Sequence, residues 1–151
     1  MVGIDSVKRF FTMRRPSKPV GSIKTQRIAL NGSNATKNFL WIELQCKCGC
    51  GIRNISPRAL RKLQLMREIV GKPFTINCAC RCPLHNARVG GAPRSQHRCT
   101  VNIQCTAFDI SLTGHDKQTM IKAAEKAGFG GIGINYRTFI HVDDRGYRAR
   151  W

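Results

Sequence analysis

Residues 131–144 read GIGINYRTFIHVDD. Successive side chains of a strand point to opposite faces, so across 139–143 Phe139, His141 and Asp143 share one side, while Ile140 and Val142 share the other. The segment reads as two strands around a tight turn at Asn135 to Arg137, with Ile140 and Val142 toward a core. TAFDI at 106–110 repeats the pattern: Phe108 and Ile110 anchor a strand, and Asp109 lies on the opposite face. PFTIN at 73–77 adds a short strand. Two stretches carry helical spacing instead. In SPRALRKLQLMREIVG, 56–71, Ser56 suits a cap and Pro57 the first turn. Leu60, Leu63, Met66, Ile69 and Val70 form its apolar face, and Gly71 ends it. DKQTMIKAAEKAG, 116–128, is a second amphipathic helix closed by Gly128. Strands and helices mixed in this order predict an α+β fold, a small antiparallel sheet with packed helices.

At 151 residues the chain has room for one domain with a real core. Residues 1–37 hold Pro16, Pro19, Gly21 and Gly32 among basic and polar residues, and predict a basic, loosely attached N-terminal segment ahead of a domain spanning 38–151. The N-terminus lacks the apolar core and cleavage site of a secretory signal, and no apolar run approaches the ~20 residues of a membrane span. A net charge of +18 favours polyanions in general: nucleic acid, anionic lipid surface, or wall polymers carrying phosphate and carboxylate. With 11 aromatic residues (Phe 7, Tyr 2, Trp 2), a stacking platform for single strands is not favoured.

Two imidazoles and a carboxylate stand out. His141 and Asp109 occupy the open faces of their strands, and His97 lies in a turn-rich loop. Zinc in hydrolytic sites takes three such ligands, leaves a fourth position to water, and lowers that water's pKa to about 7. Asp143, on the same strand face as His141, is placed to carry a proton; its bland alternative is a salt-bridged turn with Asp144 and Arg145. His85 and His115 sit in polar loops and are assigned no ligand role.

From Phe39 to Trp151 the chain resembles the zinc D-Ala-D-Ala carboxypeptidases, a family that includes bacteriophage cell-wall endopeptidases and shares its fold with the hedgehog signalling domain. The stretches FLWIELQCKCGCG, CRCPLHNARVGGAPRSQH, TAFDI, GFGGIGIN and FIHVDDRGYRARW carry the likeness. The resemblance implies a hedgehog-like, single-domain zinc peptidase, with Zn²⁺ on His97, Asp109 and His141. It also implies that Arg81 steadies the substrate carbonyl as charge develops on its oxygen. Gly90 and Gly91 match a loop that brings the chain close to the site. Two features depart from the family. The pattern His-x-x-Gly-x-Ala-x-Asp is stretched so that Asp109 follows His97 by twelve positions, with Cys105 where glycine is expected. Loop closure tolerates such an insertion at about 0.6 kcal/mol per doubling of length. The acid that many relatives carry three residues before the last histidine is here Thr138, which leaves Asp143 as the available base.

The eight cysteines fall as Cys46, Cys48, Cys50, then Cys78, Cys80, Cys82, then Cys99 and Cys105. Disulfides, a second structural zinc built from the triplets and free buried thiols all remain open. Cys99 and Cys105 are placed to staple the insertion, and Cys78 to approach the metal. The expected activity is a zinc metallopeptidase acting on peptide bonds of peptidoglycan stem peptides, as a D,D-carboxypeptidase or endolysin-type endopeptidase. A monomer, made in the cytoplasm and acting at the cell wall after phage-type release, is the matching expectation. The alternative is a zinc-binding module of the same fold, catalytically weak or inactive, that holds anionic wall polymer or nucleic acid.

Overall fold

The computed structural model describes residues 33–151. The expected loose segment, 1–37, lies for the most part outside the described residues. Its last part makes contacts with the body: Asn34 bridges Leu40, and Thr36 donates to Gln64 Oε1 at 2.8 Å.

In chain order the elements are α1 (Trp41–Leu44), α2 (Pro57–Val70), β1 (Ile76–Cys78), α3 (Pro83–Arg88), β2 (Ala107–Ser111), α4 (Lys117–Lys126), β3 (Gly131–Gly133), β4 (Phe139–Asp143) and β5 (Ala149–Arg150). The fold is α+β. Among the described residues five strands make one sheet in the order β1-β2-β4-β3-β5, antiparallel throughout except for the parallel pair β3 and β5.

Helix α2 begins as its sequence demands, with Ser56 capping, Pro57 in the first turn and Gly71 ending it at a left-handed φ of 75°. Its buried face is Ala59, Leu63 and Met66; Ile69, expected there, is exposed. The reason is the packing partner: α2 lies against α4, whose Met120, Ala123 and Ala124 are buried, and the seam follows the small residue Ala59 down to Met66. Phe108, Ile110, Ile132, Ile140 and Val142 rise from the sheet into the same core, each fully buried. Each such side chain contributes about 1.5 to 3 kcal/mol on leaving water. Just beyond β4, the buried Asp144 accepts from Arg58 Nε at 2.5 Å and Lys62 Nζ at 2.6 Å, tying the strand's end to α2. With helices on one side, the central strands turn their alternate residues to the other, where the chemistry collects.

Candidate metal centre

Strand register brings two of the expected residues together. Asp109 on β2 pairs directly with His141 on β4, and Phe108, Ile110, Ile140 and Val142 anchor both strands from behind. His97 arrives from the loop before β2. Its backbone carbonyl accepts from Arg81 N–H at 2.8 Å, and Cys99 N–H donates to Arg81 O at 2.9 Å, so the loop is bolted beside the segment that follows β1. His97 Nδ1 lies 2.8 Å from Ala79 O, which orients the ring and turns Nε2 toward Asp109.

Three donor atoms then converge. His97 Nε2 is 3.1 Å from Asp109 Oδ1 and 3.1 Å from His141 Nδ1, and His141 Nδ1 is 2.9 Å from Asp109 Oδ1. Ligands about 2.0 to 2.1 Å from a tetrahedral zinc stand roughly 3.3 Å apart, so this triangle fits the ion. The stretched segment between His97 and Asp109 does not disturb it. Thr106 N–H and Oγ1 donate to Gln96 O at 2.9 Å and Gln96 Oε1 at 2.7 Å, closing the insertion at its base. Asn54 Nδ2 gathers the carbonyls of Thr100, Val101 and Ile103 at 2.8 to 3.3 Å. The extra residues bulge outward while Cys99 and Cys105 stay buried as free thiols. The staple expected between those two is absent.

Charge balance around the triangle is tight. Burial alone would lower the His97 pKa, but bonds to Asp109 and Cys78 override it and lift it to about 10. Burial would raise the Asp109 carboxyl, yet the His141 and His97 bonds hold it well below the usual carboxylate range. Arg81 donates to Asp109 Oδ2 at 3.3 Å and, through Nε, to Cys78 Sγ at 3.1 Å. Cys78 Sγ falls within 4.8 Å of ligand atoms of His97 and Asp109, so it too is within reach of an ion held there.

Asp143 has a different surrounding from the open one expected. Its side chain is fully buried behind His141. Oδ2 is 2.9 Å from His141 Nε2 and accepts from an Arg145 terminal nitrogen at 2.6 Å, while Oδ1 accepts from Arg145 Nε at 2.7 Å and Arg145 N–H at 3.1 Å. Burial pushes its pKa up, but the His141 and Arg145 bonds prevail and hold it low. Room for this carboxylate comes from Gly131 across the strand pair, where a Cβ would stand 2.5 Å from Asp143 Oδ1.

The triangle opens on a cleft of about 790 Å³. Arg81, Arg94 and Arg145 give its lining positive charge; Tyr136, Phe139 and Trp151 give it apolar surface. Gly90 and Gly91 border it, and the loop they belong to is held by the buried Asn86, whose Nδ2 donates to the carbonyls of Gly91 and Ala92 at 3.2 and 2.9 Å. Among the described residues, Asp109 is the sole carboxylate lining this cleft. Sequence reading passed over Asn86 and Trp151, and named Arg145 only as a partner of Asp143 in a salt-bridged turn, a pairing the structure contains. Arg145 carries a signal, its spacing of two from Asp143; Trp151 reaches the site only through the β5 pairing, which places its ring 5.4 Å from His141 and 4.5 Å from the Arg145 guanidinium.

An α+β domain in which two histidine nitrogens and an aspartate oxygen converge at the floor of a cationic cleft presents the donor set used by metal-dependent hydrolases. The chain belongs to the Peptidase M15 family, whose pattern matches residues 37–143. That family consists of zinc-dependent peptidases. No curated protein matches the chain. Among the described residues, no helix is long and apolar enough to cross a membrane.

Proposed function

We propose that the protein is a zinc peptidase that hydrolyses peptide bonds in peptidoglycan stem peptides, with His97, Asp109 and His141 as the residues that would hold the ion. The observation that carries the reading is the triangle of donor atoms, 2.9 to 3.1 Å apart, exposed on one side to the cleft. When bound, zinc supplies Lewis acidity and brings a water's pKa to about 7, so that hydroxide is available at neutral pH without a separate carboxylate base.

The chain's own residues do the rest. Arg81, pinned by Asp109 and Cys78, projects into the cleft as a fixed cation for the scissile carbonyl oxygen, whose charge grows only in the transition state. Arg94 and Arg145 suit a substrate with free carboxylates, as stem peptides have. Asp143, first expected to accept the water's proton, is assigned here to His141: its carboxylate holds Nε2–H and leaves Nδ1 free for the ion, the outer partner such ligands ordinarily have. The basic surface draws the chain to anionic wall polymer.

Incubation of the purified chain with peptidoglycan, with analysis of the released peptides and of zinc content, tests the reading. His97→Ala and His141→Ala should each lose hydrolysis and zinc at this site together. Full activity of the metal-free chain would reject it. One observation favours the second reading, a binding module of the same fold: among the described residues no carboxylate side chain lines the cleft besides Asp109, which is itself assigned to the ion. Zinc retention with no hydrolysis, and steeply salt-dependent binding of wall polymer or DNA, would select that reading.

A further inference from the structure

On a separate part of the surface, four cysteines from two distant stretches meet. Cys46, Cys48 and Cys50 follow α1, and Cys82 caps α3; their sulfur atoms all lie within 4.8 Å of one another. Cys46 Sγ is 3.4 Å from Cys48 Sγ, and Cys48 Sγ is 3.7 Å from Cys82 Sγ. A disulfide needs about 2.05 Å, so these are not bonded pairs. Four sulfurs about 2.3 Å from a tetrahedral zinc stand roughly 3.8 Å apart, which is the spacing observed here.

We propose that Cys46, Cys48, Cys50 and Cys82 form a second, structural zinc site, distinct from the one in the cleft. The local chain is shaped for it. Gly49 and Gly51, at left-handed φ of 89° and 75°, let residues 46–51 curl so that Cys46, Cys48 and Cys50, which a strand would space about 6.6 Å apart along one face, turn to one point. Closed structural sites satisfy the tetrahedron with protein ligands alone, and four thiolates do so. Their negative charge is met by donors: Cys82 N–H points to Cys46 Sγ at 3.3 Å, and His85 N–H to Cys82 Sγ at 3.3 Å. His85 Nδ1, 3.2 Å from Cys46 Sγ, completes the outer partners, a place its polar loop context did not reveal.

The site has a structural consequence. Cys82 directly follows Arg81, and Cys80 N–H donates to Leu44 O at 3.1 Å, so an ion here would clamp the loop after α1 onto the segment that aims Arg81 into the cleft. The proposal stands apart from the catalytic reading, because each ion has its own ligands.

The test uses the full chain purified with reductant, reconstituted with zinc or cobalt. The wild type should hold two zinc ions per chain, and the His97→Ala/His141→Ala double variant should keep one. Cobalt bound to that double variant should show intense thiolate-to-metal charge-transfer absorption, which adding Cys48→Ser and Cys50→Ser, at the two exposed thiols, should abolish; made in the wild-type background, the same two changes should leave the cleft ion bound. Chelation should raise the number of thiols reactive to a soluble disulfide reagent by four. The proposal is overturned by a charge-transfer band that survives Cys48→Ser/Cys50→Ser in the His97→Ala/His141→Ala background, by its absence from cobalt-loaded wild type, or by disulfides joining these four residues in the reconstituted protein. Should a variant fail to fold, the cobalt spectrum of the wild type and its chelator-released thiols decide the matter alone.

Discussion

Replacing Asp143 with asparagine separates two roles that a carboxylate near a metal can play. Asp143 accepts four contacts: Oδ2 from His141 Nε2 and an Arg145 terminal nitrogen, Oδ1 from Arg145 Nε and N–H. An amide presents one oxygen and one NH₂ group, so two of the four donors must face another donor. With NH₂ toward His141, the ring accepts through Nε2 and carries its proton on Nδ1, the nitrogen aimed at Asp109 and needed by the ion. With NH₂ toward Arg145 Nε, the buried end of the guanidinium loses its pairing instead. Lesions in the outer partners of metal ligands typically cost 10 to 100-fold in affinity, about 1.4 to 2.7 kcal/mol. Zinc affinity of Asp143→Asn, measured by competition with a chelating dye, should therefore fall by one to two orders of magnitude, and hydrolysis should recover substantially when zinc is saturating. A proton carrier behaves in the opposite way, since removing a general base costs about 10² to 10⁴ in rate and leaves the ion in place. Unchanged zinc affinity, with hydrolysis lost even at saturating zinc, would refute the positioning role.

Gly131→Ala should damage the same network from the other side, because its Cβ would stand 2.5 to 2.6 Å from both Asp143 oxygens and Arg145 Nε. Overpacking of this kind costs about 1 to 3 kcal/mol, to be read as a lower midpoint in urea together with weaker zinc binding. Cys78→Ser keeps an acceptor for Arg81 Nε, so zinc content and hydrolysis should both persist; loss of zinc from the cleft would instead make Cys78 a ligand. In the metal-free chain His97 is held protonated up to about pH 10, so zinc uptake at pH 7 should release a proton, measured as a buffer-dependent binding enthalpy. The sign for stability follows from the same pair. The raised His97 pKa contributes stability that is fully present below its unfolded value of 6.5 and is lost as pH rises through about 10. The depressed Asp109 pKa contributes stability present above 3.8 and lost on further acidification. The metal-free chain should therefore melt highest between these limits and less readily hold its fold at either extreme.

Much of this architecture was legible because period and burial agree. Phe108 and Ile110 in β2, and Ile140 and Val142 in β4, alternate with the residues they present, so Asp109 and His141 could be placed on one face before their register was known. Ser56, Pro57 and Gly71 bounded α2 for reasons local to the backbone. Legibility ends where distant segments decide. Asp143 shares His141's face, yet its accessibility depends on Arg145 folding back over it and on Gly131 leaving it room, and neither is a property of strand alternation. Ile69 fits the helical stripe of α2 but stays exposed at the open edge of its seam with α4, beside Lys122 and Lys126.

The cysteines carry this contrast furthest, because the same spacing, Cys-x-Cys-x-Cys, occurs twice with opposite results. At 46–50 two left-handed glycines fold the run back on itself, and its three sulfurs form one group. At 78–82 the run leaves β1 and enters the cap of α3, so its members separate: Cys78 lies beside Arg81 at the cleft, Cys80 is buried in the core, and Cys82 joins the other triplet. Cys82 is thus the link between the two proposed ion sites, one residue from Arg81, the arginine proposed to face the scissile carbonyl. Its replacement by serine should loosen Arg81 as well as the thiolate group, lowering kcat while zinc in the cleft is kept. Replacement of Cys80, which touches neither group of ligands, should lower stability alone. Equal loss of cleft zinc in both variants would show that the segment acts as one rigid piece and that the division drawn here between its sulfurs is wrong.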